Sequence, residues 1–130
     1  MTTFQLLIGG KSVPTAAHFD IKNPSTGALV GQAPSATPAD LDRAVAAAGE
    51  AFKTWSRTSD AERKAACHAI GKALEQHADE LARLLTMEQG KPLNGMGSRF
   101  ELGGAQAWTH YTAELKLPVE TLQDNDKAKI

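Results

Sequence analysis

Cys67 is the single cysteine of the chain and is followed directly by His68, the two residue types from which a thiolate nucleophile and its base are built. Neighbours on a helix point about 100° apart, so adjacency does not make them a dyad. Cys67 falls within the apolar stripe Ala66, Cys67, Ile70, Ala73 and Leu74 and reads as a small buried hydrophobe. His18, His68, His77 and His110 are never four residues apart, and without a second cysteine their spacing describes no zinc site. Gly95-Met96-Gly97 opens like a dinucleotide fingerprint, but the third glycine is missing and a helix end precedes it where a strand is required. Glu62, Glu75, Glu80, Glu88, Glu101 and Glu114 fit solvated helix faces, and none is marked out as a general base. Trp55 and Trp108 fall in phase with other apolar residues and read as packing anchors.

The elements that would position these residues are extended first and helical afterwards. Residues 4–33 alternate short apolar groups with turn residues, including Gly9-Gly10 and Asn23-Pro24-Ser25-Thr26-Gly27, which predicts an antiparallel β hairpin. Thr37-Pro38-Ala39-Asp40 is a capping box with proline at the first helical position, and it opens a helix over about 38–55 with Leu41, Ala44, Val45, Ala48 and Phe52 in phase. Ser59-Asp60-Ala61-Glu62 repeats that logic for a helix over 60–77. A third helix, 79–89, stops where Gly90 can take the left-handed cap before Lys91-Pro92. The period Met96, Phe100, Gly103, Ala107, Tyr111, Leu115 predicts a fourth over 93–115, although each internal glycine costs about 1 kcal/mol relative to alanine. Residues 119–130 read as an extended strand with neither cap nor partner, as of a chain cut in mid-element.

With 14 Lys and Arg against 15 Asp and Glu, the chain has no footprint for nucleic acid or an anionic membrane. It shows no basic-then-apolar leader and no run long enough to span a bilayer, so a soluble, cytoplasmic protein is expected. A hairpin and four helices in 130 residues are an incomplete inventory for a self-contained α/β enzyme.

Several segments resemble the first quarter of the aldehyde dehydrogenase superfamily in order and separation. They are Ile8-Gly9-Gly10, Phe19 to Gly27, the Ala44-Val45 to Ala51-Phe52 helix with Trp55, Arg63, His77 to Ala82, Glu88-Gln89-Gly90-Lys91-Pro92-Leu93, and Tyr111 before Leu117-Pro118. The Asn-Pro-Ser-Thr-Gly turn and the Glu-Gln-Gly-Lys-Pro-Leu helix stop, at this distance from one another, are the specific part. The resemblance implies an α/β family fold of which this chain is the N-terminal part, mainly α-helical with an N-terminal antiparallel hairpin and a terminal strand. It implies a full-length enzyme that oxidises an aldehyde to a carboxylic acid with NAD or NADP and assembles as a homodimer or homotetramer. The catalytic and principal cofactor-binding residues of the family lie downstream, so none is expected within 1–130. Two softer implications concern the backbone at Lys22 and Glu88, near which some members bind a monovalent cation, and the helix bearing Gly103, Ala107 and Tyr111, which resembles the one beside the substrate entrance. The glutamine-containing helix stop leans toward members acting on semialdehydes or other small aldehydes, and a CoA-acylating relative or a noncatalytic fragment or pseudoenzyme that acts by association are the alternatives. The remainder of the dehydrogenase fold is the expected partner of the apolar surface.

Overall fold

The computed structural model describes residues 4–116, 118 and 120–129. Two short antiparallel hairpins come first: β1 (Leu6–Ile8) with β2 (Lys11–Val13), then β3 (Ala17–Lys22) with β4 (Leu29–Ser35). The extended region thus divides into two hairpins and runs to Ser35, beyond residue 33. Four helices follow, α1 (Pro38–Trp55), α2 (Asp60–Gln76), α3 (Ala78–Gln89) and α4 (Ser98–Glu114). A small hairpin, β5 (Asp124–Asn125) with β6 (Ala128–Lys129), closes the described chain. Val119 and Ile130, part of the expected terminal strand, lie outside the described residues, as does Leu117.

The helix starts are set by local chemistry. Thr37 accepts from the Asp40 amide while the Asp40 carboxylate takes the Thr37 amide at 2.8 Å, and Ser59 and Glu62 repeat the exchange at α2. The bonds from Thr37, helped by the Arg43 guanidinium, hold the Asp40 carboxyl down to about 2. Such a depressed group contributes stability that is complete above the ordinary carboxylate value of 3.8 and lost as pH falls toward about 2. Helix content is therefore expected to drop between pH 4 and pH 2 in far-UV circular dichroism. Thr37→Ala should shift that acid transition upward and cost about 1 kcal/mol at neutral pH. An unchanged acid transition in the variant would rule out this cap as its source.

Helix α4 begins at Ser98, five residues after the position that periodicity suggests. Pro92 and the left-handed Gly95 break the backbone, and the Pro92 and Leu93 carbonyls accept from the Ser98 and Arg99 amides. The loop is held from outside as well, by Arg99 reaching Asn94 and Asp79 at 2.6 Å each and by Lys91 on Glu101 at 2.5 Å. Arg99, then Arg83, lowers the Asp79 carboxyl below its ordinary value.

The packing is thin. Helices α2 and α4 run antiparallel in contact, α3 lies on α4, β3 rests on α3 and β1 on α1. Only Ala82 and Ala113 are fully withdrawn apolar residues among those described, and the buried Ser98 hydroxyl is satisfied by Thr86 at 2.8 Å. The stripe on α1 does not form a core: Leu41, Val45 and Phe52 are 63%, 63% and 65% exposed. Trp55 and Trp108, expected as packing anchors, are likewise exposed. A closed globule of this mass exposes about 6,600 Å², whereas the chain exposes 9883 Å².

Candidate functional site

Cys67 and His68 part company on α2. Cys67 is half-buried in an open groove with Arg63, Lys64, Thr112, Ala113 and Leu115. His68 turns to α4, with Nδ1 2.8 Å from His110 Nδ1 and Nε2 2.9 Å from Glu114 Oε1. No base therefore faces the thiol from its sequence neighbour. The cross-helix trio of His68, His110 and Glu114 was not legible from the spacing of histidines alone. The signal that was present is the His110–Glu114 separation of one helical turn, which sets a carboxylate beside an imidazole on one face.

The residues named for a cation and for a substrate entrance fall on two separate clefts. One, of about 250 Å³, lies between the second hairpin and α3 and is lined by Phe4, Ile21, Val30, Ala33, Leu84 and Glu88. A β-bulge falls between Ile21 and Lys22, so the strand is irregular where it meets Glu88. The Lys22 side chain is exposed and does not line this cleft. Glu88 is the one carboxylate in an otherwise apolar wall, and among the described residues no three His, Cys, Asp or Glu are grouped to hold a metal ion by side chains. Nearby, Gly90 caps α3 with φ 72°, and a Cβ added there would lie 2.7 Å from Pro24 Cγ. The Asn23–Gly27 turn is thus seated on the C-terminus of α3.

The second cleft, also about 250 Å³, runs along α4 beside Gly104, Ala107, Trp108 and Tyr111. Ala107 and Tyr111 share it, while Gly103 lies outside its lining. Trp108 and Tyr111 meet edge to face with centroids 5.5 Å apart, a rigid apolar edge suited to aliphatic or aromatic groups.

A dinucleotide needs a helix N-terminus whose amides and field are available to its phosphates. Each of the four helices instead carries a carboxylate in its first turn: Asp40, Asp60 with Glu62, Asp79 with Glu80, and Glu101. At α4 the Ser98 and Arg99 amides are already spent on Pro92 and Leu93. The described helix N-termini therefore do not fit a dinucleotide phosphate, and Gly95-Met96-Gly97 serves as a loop against the Pro92 carbonyl.

Residues 12–127 match the family model described as the aldehyde dehydrogenase family. The chain is 42% identical over 117 residues to a Pseudomonas sp. protein named "Probable aldehyde dehydrogenase", covering 90% of this chain and 24% of that one. It is 38% identical over 93 residues to the acylating methylmalonate-semialdehyde/malonate-semialdehyde dehydrogenase of Homo sapiens mitochondria, covering 70% of this chain and 17% of that enzyme. Among solved structures, a betaine aldehyde dehydrogenase from Staphylococcus aureus in complex with NAD+ superposes with a TM-score of 0.85 at 28% identity, over 95% of this chain and 26% of that one. The chain spans about a quarter or less of the length of these proteins.

Proposed function

The chain belongs to the aldehyde dehydrogenase family, and from that premise we propose that it is the N-terminal scaffold of an NAD(P)-dependent enzyme that oxidises an aldehyde to a carboxylic acid. The observation that carries the scaffold reading is the surface: about 3,300 Å² beyond that of a closed globule of this mass, much of it on apolar helix faces. An area of that size is in the range of permanent interfaces. Its occupant is the remainder of the dehydrogenase fold, with further copies completing a homodimer or homotetramer. The Staphylococcus aureus likeness in complex with NAD+ supports a nicotinamide cofactor, NAD or NADP, held by residues outside 1–130, because the helix N-termini here are all acidic.

Two contributions to the complete site come from this chain. The backbone around Lys22 and at the Glu88 end of α3 would serve a monovalent cation, at the edge of the apolar cleft that Ile21 and Glu88 line. The Ala107, Trp108 and Tyr111 edge of α4, with Gly103 and Gly104 on the same helix, borders the path of the aldehyde. The semialdehyde relative supports a small aldehyde substrate; its acylating activity supports a second reading in which the product is a CoA thioester.

The test is an NAD(P)H absorbance assay on the 130-residue chain and on a polypeptide that continues through the rest of the fold. The chain alone is expected to give no turnover, and the longer protein thiol-sensitive turnover that Cys67→Ser leaves intact. Turnover by the chain alone, or its loss in the longer Cys67→Ser protein, would overturn the reading. Turnover that depends on added CoA would select the acylating alternative.

A further inference from the structure

We propose that His68 and His110 form a pH-sensitive latch between α2 and α4. The two rings meet edge to edge at an interplanar angle of 30°, with centroids 5.1 Å apart and their Nδ1 atoms approaching to 2.8 Å. Gly71 makes this possible: a Cβ there would lie 2.6 Å from His110 Nε2, so α4 lays its imidazole directly on the α2 backbone. A nitrogen-to-nitrogen contact of that length needs a single proton between one donor and one acceptor. The other contact of His68 decides which is which. Its Nε2 lies 2.9 Å from Glu114 Oε1, and an ionised carboxylate only accepts. Neutral His68 therefore carries its proton on Nε2 and presents Nδ1 as a lone pair, and His110 donates from Nδ1.

Proton counting gives the switch. A proton added at His110 Nε2 leaves both hydrogen bonds in place. A further proton on His68 Nδ1 sets two N–H donors against one another at 2.8 Å, between two cations. The closed seam excludes a proton that the separated imidazoles accept, so the open state binds one more. The sign follows: the seam is held while His68 Nδ1 keeps its lone pair and is lost on acidification, in the direction that charges imidazoles. Once that proton is in play, opening gains about tenfold per pH unit.

Charged groups surround the pair. On α2, Lys64 and Lys72 stand one turn to either side of His68, with Cys67 adjacent, and Lys64 pairs with Asp60 at 3.0 Å. On α4, Glu114 pairs with His68, while Glu101 is at the far end on Lys91. Helix α3, packed on α4, has Asp79 engaged with Arg83 and Arg99. The latch stands on α2 and α4 alone and does not depend on the proposed chemistry.

Amide hydrogen exchange at pH 8 and pH 5, corrected for the intrinsic pH dependence of exchange, tests it on the full chain. Helix α1, whose contact is with β1, is the internal standard. Amides around Gly71 and His110 should lose protection relative to α1 by roughly tenfold or more on acidification, and His110→Gln, which keeps a donor but cannot titrate, should abolish that loss. Should His110→Gln fail to fold, the wild-type pair of measurements and His68→Gln decide in the same way. Protection in α2 and α4 that follows α1 at both pH values, or a variant that keeps the wild-type loss, overturns the latch.

Discussion

Gly97→Ala is expected to unfold the α3–α4 hairpin. A Cβ at this position would lie 1.8 Å from the Pro92 carbonyl oxygen and 2.6 Å from its carbon, both backbone atoms that no rotamer change can move. Relief requires shifting the Pro92–Ser98 turn, which breaks the Ser98 amide bond to Pro92 and draws the buried Ser98 hydroxyl away from Thr86. Clash, a lost backbone bond and an unpaired buried hydroxyl together reach about 4 kcal/mol or more. A chain with so little withdrawn apolar surface has no such reserve. Urea titration followed at 222 nm should show the loss, with Gly49→Ala as the comparison. That position is open and helical, so alanine there should stabilise by up to about 1 kcal/mol. A Gly97→Ala midpoint close to that of the wild type would show that the turn yields easily.

Local chemistry was the legible part of this chain. The capping boxes at Thr37 and Ser59 and the left-handed stop at Gly90 are encoded in a few adjacent residues, and the helices start and stop there. The Asn23–Gly27 turn and the Gly90 stop, recognisable only as separate strings, meet in space through Pro24, which explains why their separation carries information. What sequence could not supply was the far side of each apolar stripe. The period of Leu41, Val45 and Phe52 says which side chains share a face of α1, and nothing about whether a partner covers it. The start of α4 was misplaced for a related reason, since the 93–97 stretch keeps a helical period while Pro92 and Gly95 divert its backbone. The His68–His110 contact joins residues 42 apart, and only the antiparallel crossing of α2 and α4 brings them together.

The exposed stripe on α1 sets the last expectation, that the 130-residue chain self-associates in solution. Leu41, Val45 and Phe52 are each nearly two-thirds exposed on one face, so covering each would contribute about 1–2 kcal/mol. Val45 and Phe52 are 63% and 65% exposed within the chain, so Val45→Ser with Phe52→Ser should remove the drive to associate while leaving the thermal melt of α2–α4 nearly unchanged. Light scattering across a concentration series separates the two effects: wild type should grow in mass with concentration and the double variant should not. In a longer dehydrogenase polypeptide the same pair of substitutions should instead lower stability by roughly 3–5 kcal/mol, because the face is then buried and each replacement leaves a cavity lined by apolar atoms. A wild-type chain that stays monomeric at every concentration, together with a longer protein indifferent to the substitutions, would mean that this face is solvent-facing by design, and the scaffold reading would lose its physical basis.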